Sequence, residues 1–362
     1  MAVTTEHVLQ ALRAVQDPDL KRDLVSLGFI KHLTVNGGSV AFQIELTTPA
    51  CPVRDLMREE AKRAVSAIPG VSSVEIGMTS QVRSSMSAMP AGGLIPTIKN
   101  VIPIASGKGG VGKSTVSANL ALALAKSGAR VGLMDADVYG PTIPTLLGIT
   151  GQPEMEEATR RIFPIEQYGL KVISMGFFMK PEEAVVWRGP MLHKTVEQFL
   201  GTVIWGELDY LLVDLPPGTG DVQLSLCQLI PITGAVIVST PQDVALNIAQ
   251  KAIAMFKKLN APVLGIIENM SEYVCPKCGH HEEIFGTGGA RRTAERMQIP
   301  LLGEIPLATP IRAASDAGRP IVLSEPGSPS AKAFFAAAEQ LAARVSIRAM
   351  QGELAAPVKV TF

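Results

Sequence analysis

The sequence predicts an α/β protein, a mostly parallel sheet covered by helices, preceded by a small α+β N-terminal domain. Three observations predict it. From Ile98 onward, short continuous apolar runs alternate with helical periods, the pattern of strands buried on both faces. The run Gly107-Lys108-Gly109-Gly110-Val111-Gly112-Lys113-Ser114-Thr115 falls between one such strand and a helix. Residues 81–97, rich in Ser, Met, Ala, Gly and Pro and without period, separate 1–80 from the rest as a flexible linker.

The bulk numbers narrow the function. A length of 362 residues asks for two domains, and 47% apolar against 18% charged residues supplies a core and argues against disorder. Lys+Arg and Asp+Glu are equal at 33, so no global field draws the chain to nucleic acid or an anionic membrane, and neither is expected as a partner. No apolar run reaches a membrane span, and Met1–Gln10 lacks a signal peptide's charged-then-apolar pattern. A cytoplasmic location is expected.

In the 1–80 domain, Thr5 is placed to cap a helix with Val8, Leu9, Leu12 and Val15 on one face. Strand-like runs Phe29–Val35 and Ser39–Leu46 flank Asn36-Gly37-Gly38, a hairpin signal. A second helix turns Val53, Leu56, Met57, Ala61, Ala64, Val65 and Ile68 inward. Ile68-Pro69-Gly70 ends it, and Val71–Met78 alternates as a last strand.

In the 98–349 domain the expected strands are Val101–Ala105, Arg130–Met134, Leu170–Ser174, Tyr210–Val213, Ala235–Ser239, Val263–Ile267 and Leu301–Gly303. Pro103 conflicts with the first of these, because a central strand tolerates a missing N–H poorly. Ala331–Arg348 reads as a final helix with Phe334, Phe335, Ala338, Leu341 and Val345 inward, a narrow stripe suited to docking on the sheet. Residues 350–362 form a tail.

Gly107-x4-Gly112-Lys113-Ser114 is the phosphate-loop pattern of a P-loop NTPase. Its glycines let backbone N–H groups ring the phosphates of ATP, Lys113 meets the β/γ charge, and Ser114 Oγ ligates Mg²⁺. Aspartates at strand ends face such a site. Asp137 is placed to position the attacking water, with Asp135 near Mg²⁺, and Asp214, in Leu211–Gly218, binds Mg²⁺ through water as a Walker B residue ahead of a mobile switch. Lys108 completes a Lys-Gly-Gly-Val-Gly-Lys-Ser-Thr run that resembles the deviant Walker A of the ParA, MinD and nitrogenase iron protein class. That resemblance implies a homodimer in which Lys108 reaches the partner's nucleotide and acts in slow ATP hydrolysis with Lys113 and Asp137.

The cysteines are Cys51, Cys227, Cys275 and Cys278, too few for a disulfide framework. Cys275-Pro276-Lys277-Cys278 offers two thiolates, half of a tetrahedral zinc or four-iron site. Completion can come from His280 and His281, from a dithiol–disulfide couple, or from a second subunit. Cys227, in an apolar helical stretch, reads as a core residue.

Taken with Trp187-Arg188-Gly189-Pro190-Met191, Asp214–Asp221, Thr240-Pro241-Gln242, Glu268-Asn269-Met270-Ser271 and Ile284-Phe285-Gly286, these motifs resemble the Mrp/ApbC family of iron–sulfur cluster carriers. The resemblance covers Ile98–Leu323. It implies a homodimer carrying a [4Fe-4S] cluster on paired Cys275 and Cys278 and passing it to apo iron–sulfur proteins, with Asn269 reading the adenine edge. It assigns no role to Trp187 or Arg188. Residues 1–80 resemble the small domain of Mrp proteins and iron–sulfur targeting factors through Leu46-Thr47-Thr48-Pro49-Ala50-Cys51-Pro52. Pro52 at a first helical position would put Cys51 at a helix N-terminus, where thiolate is favoured. Two rivals are a ParA/MinD-type positioning ATPase and a zinc-stabilised nucleotide-binding module.

Overall fold

Thr4, rather than Thr5, starts the first helix in the computed structural model, which describes residues 2–84, 93–179, 189–275 and 277–352. Its hydroxyl accepts the His7 N–H at 3.3 Å, a cap worth about 1 kcal/mol to α1 (Thr5–Leu12). The chain divides into two units, 1–83 and 84–362. In the first, β1 (Gln16–Asp17) pairs with β2 (Arg22–Asp23), while β3 (Ile30–Asn36), β4 (Ser39–Leu46) and β5 (Ser73–Ser80) make a three-stranded sheet. β3 and β4 form the expected hairpin, and α2 (Arg54–Ser66) carries the chain back so that β5 lies parallel to β4. Met57, Ala61 and Val65 bury the inner face of α2. Leu56, expected there, is 54% exposed, since it points about 100° around the helix from Met57. Pro52 is displaced too: α2 begins at Arg54 with Val53 as its N-cap, which leaves Cys51 a turn ahead of the helix rather than at its first position.

The second unit runs β6 (Val101–Ser106), α3 (Lys113–Lys126), β7 (Val131–Asp135), α4 (Ile143–Leu146), β8 (Met155–Glu156), β9 (Arg161–Ile162), β10 (Ile165–Gln167) and β11 (Leu170–Ser174). It continues through α5 (Gly189–Thr202), β12 (Tyr210–Asp214), α6 (Asp221–Leu229), β13 (Ala235–Ser239), α7 (Asp243–Lys258) and β14 (Val263–Val274). β15 (His281–Glu282), α8 (Gly289–Met297), β16 (Leu301–Leu307), α9 (Thr309–Asp316), α10 (Ile321–Ser324) and α11 (Pro329–Gln351) complete it. Nine described strands form one sheet in the order β10-β11-β7-β12-β6-β13-β14-β15, with β16 also on β14. Only the β10–β11 and β14–β15 pairs are antiparallel.

Pro103 does sit in the central strand, and the ladder accommodates it. Leu211 and Leu215 donate to the carbonyls of Asn100 and Ile104, so even-numbered residues of β6 face β12 and odd ones face β13. The β6–β13 register starts only at Ile104, and one residue before Ile102 the Val101 N–H is taken by Thr233 Oγ1 at 3.1 Å. Pro103 therefore lies where that ladder has not yet begun. α11 docks on the sheet as expected: a Cβ added to Gly303 in β16 would lie 3.0 Å from the Ala337 Cβ. Ala337 takes the inward place assigned to Phe335, which is half-buried. Of the linker, 85–92 lie outside the described residues, as do Trp187, Arg188 and the tail beyond Gly352. The described flanks are anchored, with Val82 and Ile95 buried.

Candidate functional site

The loop joining β6 to α3 is shaped by two close approaches. Gly112 holds φ +78 as the N-cap of α3, and a side chain there would strike the Asn269 amide. At Gly107 a Cβ would come within 2.6 Å of the Ala249 nitrogen in α7. The loop and the α3 N-terminus, whose first N–H groups have no helical partner, border a cavity of about 280 Å³. Lys108, Lys113, Ser114, Asp137 and Pro217 line it, together with Gly109 through Gly112 and Thr115. Lys108 is half-buried, and its ammonium forms no ion pair among the described residues.

Lys113 and Asp214 are the electrostatic centre. Their side chains are 6% and 0% exposed and meet at 2.7 Å, with Asp137 3.9 Å from the same ammonium. Asp214 also accepts hydroxyl hydrogens from Ser114 at 2.6 Å and Ser117 at 2.5 Å. Burial pushes the Asp137 carboxyl up, the Asp214 charge adds to that, and Lys113 opposes it. Asp135 lies behind this layer. Its oxygens are occupied by the N–H groups of Asp137 and Ile143 and by the Ser174 hydroxyl, so it shapes the floor of the site and does not line the cavity. Burial, and then the Asp214 charge, push Asp135 up to about 7.

Asn269 is engaged with the phosphate loop. Its Nδ2 donates to the Val111 carbonyl at 2.9 Å, and the residue is 7% exposed. It also lines a second cavity of about 280 Å³ beside the loop, with Met270, Pro306, Leu307, Ala308 and Ile311. This largely apolar slot, which Arg312, Ser315 and Asp316 also line and which shares Gly112, Thr115 and Leu146 with the first cavity, has room for a flat base.

The thiols occupy the tip of a hairpin. β14 runs on past the sheet interior to pair Tyr273 with Glu282 and Val274 with His281 of β15. Cys275 N–H donates to the His280 carbonyl and Gly279 N–H returns to the Cys275 carbonyl, each at 2.9 Å. The backbone N–H groups of Lys277 and Cys278, and then the Cys278 thiol, hold the Cys275 thiol below its usual range. Cys278 is exposed, His281 Nδ1 lies 3.1 Å from Glu272 Oε2, and among the described residues no three His, Cys, Asp or Glu gather as a metal site. Cys227 is buried as expected, and burial pushes its thiol up to about 12.

Sequence reasoning missed Ser117, Ser174 and Gln223. Ser117 had a signal, one turn after Ser114 on the same face of α3 and so aimed at the same carboxylate. Gln223 donates to the carbonyls of Pro216 and Gly218 at 2.8 and 3.1 Å and so holds the segment after Asp214, a role no pattern announces.

Comparison with known proteins places this geometry. Residues 97–342 match the family model described as NUBPL iron-transfer P-loop NTPase, and residues 5–76 match one described as iron-sulfur cluster assembly protein. The chain is 47% identical to the iron-sulfur cluster carrier protein of Synechocystis over 96% of this chain and 99% of that one. It is 50% identical to the carrier protein of Deinococcus radiodurans over 95% and 97%. A nucleotide-binding protein of Archaeoglobus fulgidus solved with ADP superposes with TM-score 0.57 at 41% identity, over 66% of this chain and 93% of that one. The cell division ATPase MinD of Pyrococcus furiosus follows at 0.51 and 25%, over 67% and 97%. No described helix is long and apolar enough to cross a membrane.

Proposed function

This chain belongs to the family of iron–sulfur cluster carrier P-loop NTPases, and we propose that it binds and hydrolyses ATP as a homodimer. Its cargo is a [4Fe-4S] cluster bridged between the two copies by Cys275 and Cys278 and delivered to apo iron–sulfur proteins. The observation that carries the reading is the hairpin tip: two thiols, one of them with its pKa lowered by neighbouring backbone N–H groups, with no third ligand gathered beside them among the described residues. Four-iron clusters take four thiolates, which a two-fold axis through the tips supplies.

The nucleotide chemistry follows from the buried pair. Backbone N–H groups of the loop and the α3 N-terminus bind the phosphates, and Lys113 exchanges Asp214 for phosphate oxygens. Ser114 and Asp214 set oxygen donors 2.6 Å apart, hard ligands that fit Mg²⁺ and would hold it. The ion would supply charge neutralisation on the phosphates. Asp137, raised by burial, lines the cavity where it orients the attacking water, and Lys108 is the cation available to a partner's nucleotide.

Anaerobic reconstitution tests the cargo. About four irons and four sulfides per dimer are expected, with loss of nearly all iron in Cys275→Ala or Cys278→Ala and retention in Cys227→Ala and Cys51→Ala. A cluster held by a strictly monomeric preparation in light scattering would overturn the bridge. About one zinc per chain, lost on replacing His280 or His281, would replace it with the zinc reading.

A further inference from the structure

Glu268-Asn269-Met270-Ser271 ties three parts of the second unit to one strand. The Glu268 carboxylate accepts the N–H groups of Gly288 and Ala290 at the start of α8, at 3.2 and 2.6 Å. Asn269 Nδ2 donates to the Val111 carbonyl in the phosphate loop, and Ser271 Oγ donates to the Ile305 carbonyl in β16 at 3.1 Å. Between them Met270 holds φ +58, a left-handed turn that a residue with a side chain adopts only when its surroundings impose it. The β14–β16 register shifts across the same stretch, between Asn269 and Tyr273. Past that turn the strand runs directly into Cys275.

We propose that Asn269 is a positioning residue that couples the phosphate loop to the thiol pair, with the left-handed turn at Met270 as the joint that redirects the strand toward Cys275. The inference rests on the nucleotide and thiol sites proposed above. Phosphates draw the loop's N–H groups toward them, and the Val111 carbonyl turns with its peptide. The Asn269 amide follows, because it is buried and letting go would leave a donor unpaired. Glu268 and Ser271 are tied to other elements on either side, so the movement is concentrated at Met270 instead of spreading along the strand. In this account the Asn269 amide transmits phosphate occupancy to the strand through its bond to the Val111 carbonyl.

The test needs no cluster. Alkylation rates of Cys275 and Cys278 in the reduced full chain are followed by mass spectrometry with and without Mg-ATP. In the parent, nucleotide should change the rate about fivefold or more, in line with ordinary coupling strengths. Asn269→Ala, compared at saturating Mg-ATP so that weaker binding does not enter, should lose the nucleotide effect on the thiols. A full response in Asn269→Ala at saturating Mg-ATP, or none in the parent, overturns the proposal. If Asn269→Ala does not fold or bind ATP, Met270→Gly decides: a weakened response supports the joint, and a full one removes it. Iron and sulfide analysis of the reconstituted parent separates the readings, since failure to hold a cluster bears on cargo and leaves the alkylation result standing.

Discussion

Replacing Lys113 with methionine keeps the stem and removes the ammonium, and the consequence reaches the stability of the fold. Asp214 is fully buried, with Lys113 Nζ 2.7 Å away and Asp137 sharing that cation at 3.9 Å. At an effective dielectric of about 20, unit charges at that shorter distance attract by about 6 kcal/mol. The two serine hydroxyls on Asp214 survive the change and offset part of the loss. Removing one partner of a buried pair costs about 3–5 kcal/mol, and a loss within that range is expected for nucleotide-free Lys113→Met. Both tryptophans, Trp187 and Trp205, belong to the second unit, so fluorescence in urea reads that unit alone. The midpoint should fall by roughly 1 M or more. Lys113→Met/Asp214→Asn should recover at least half of the fall, because a neutral amide needs no cation. A midpoint for Lys113→Met within about 0.3 M of the parent would show that the pair does not hold the site together.

Three further outcomes are expected. Lys108→Ala should bind ATP at parental affinity in fluorescence titration and hydrolyse it poorly, and mixing with Asp137→Ala should restore some phosphate release if the lysine acts across a dimer. Gly112→Ala should lose tenfold or more in ATP affinity, since φ +78 and the Asn269 amide both oppose a side chain, and Asn269→Ala in the same chain should return part of it. Asp135 titrates near 7 in the fold against 3.8 unfolded, so between those values the folded chain holds a proton that the unfolded chain has released. Stability should therefore fall as pH rises across that window, and Asp135→Asn should flatten the slope of the urea midpoint against pH.

Strands were legible where burial was complete on both faces. Leu170–Ser174 and Ala235–Ser239 have the bounds their apolar runs imply. The apolar run predicts β14 only to Ile267, because Glu268 and Asn269 look like a strand's end while in fact they are buried polar groups with partners on other elements. β8 and β9 pair over two residues each, too short to show a period. The same division runs through the site. Lys113, Ser114 and Asp214 belong to local patterns whose chemistry is independent of context. The partner of the Asn269 amide, and the burial of Asp135 behind Asp137, depend on which segments the sheet order brings together, and no local window carries that information.

The hairpin bearing Cys275 and Cys278 is an outgrowth of a sheet strand whose root is pinned at Glu268, Asn269 and Ser271. Root and tip thus differ in how many elements hold them. A substitution at the root disturbs the phosphate loop, α8 and β16 together, whereas the turn at Cys275 is closed by its own bonds to Gly279 and His280. The tip is therefore the place where side chains can be exchanged with the least disturbance to the sheet that carries it.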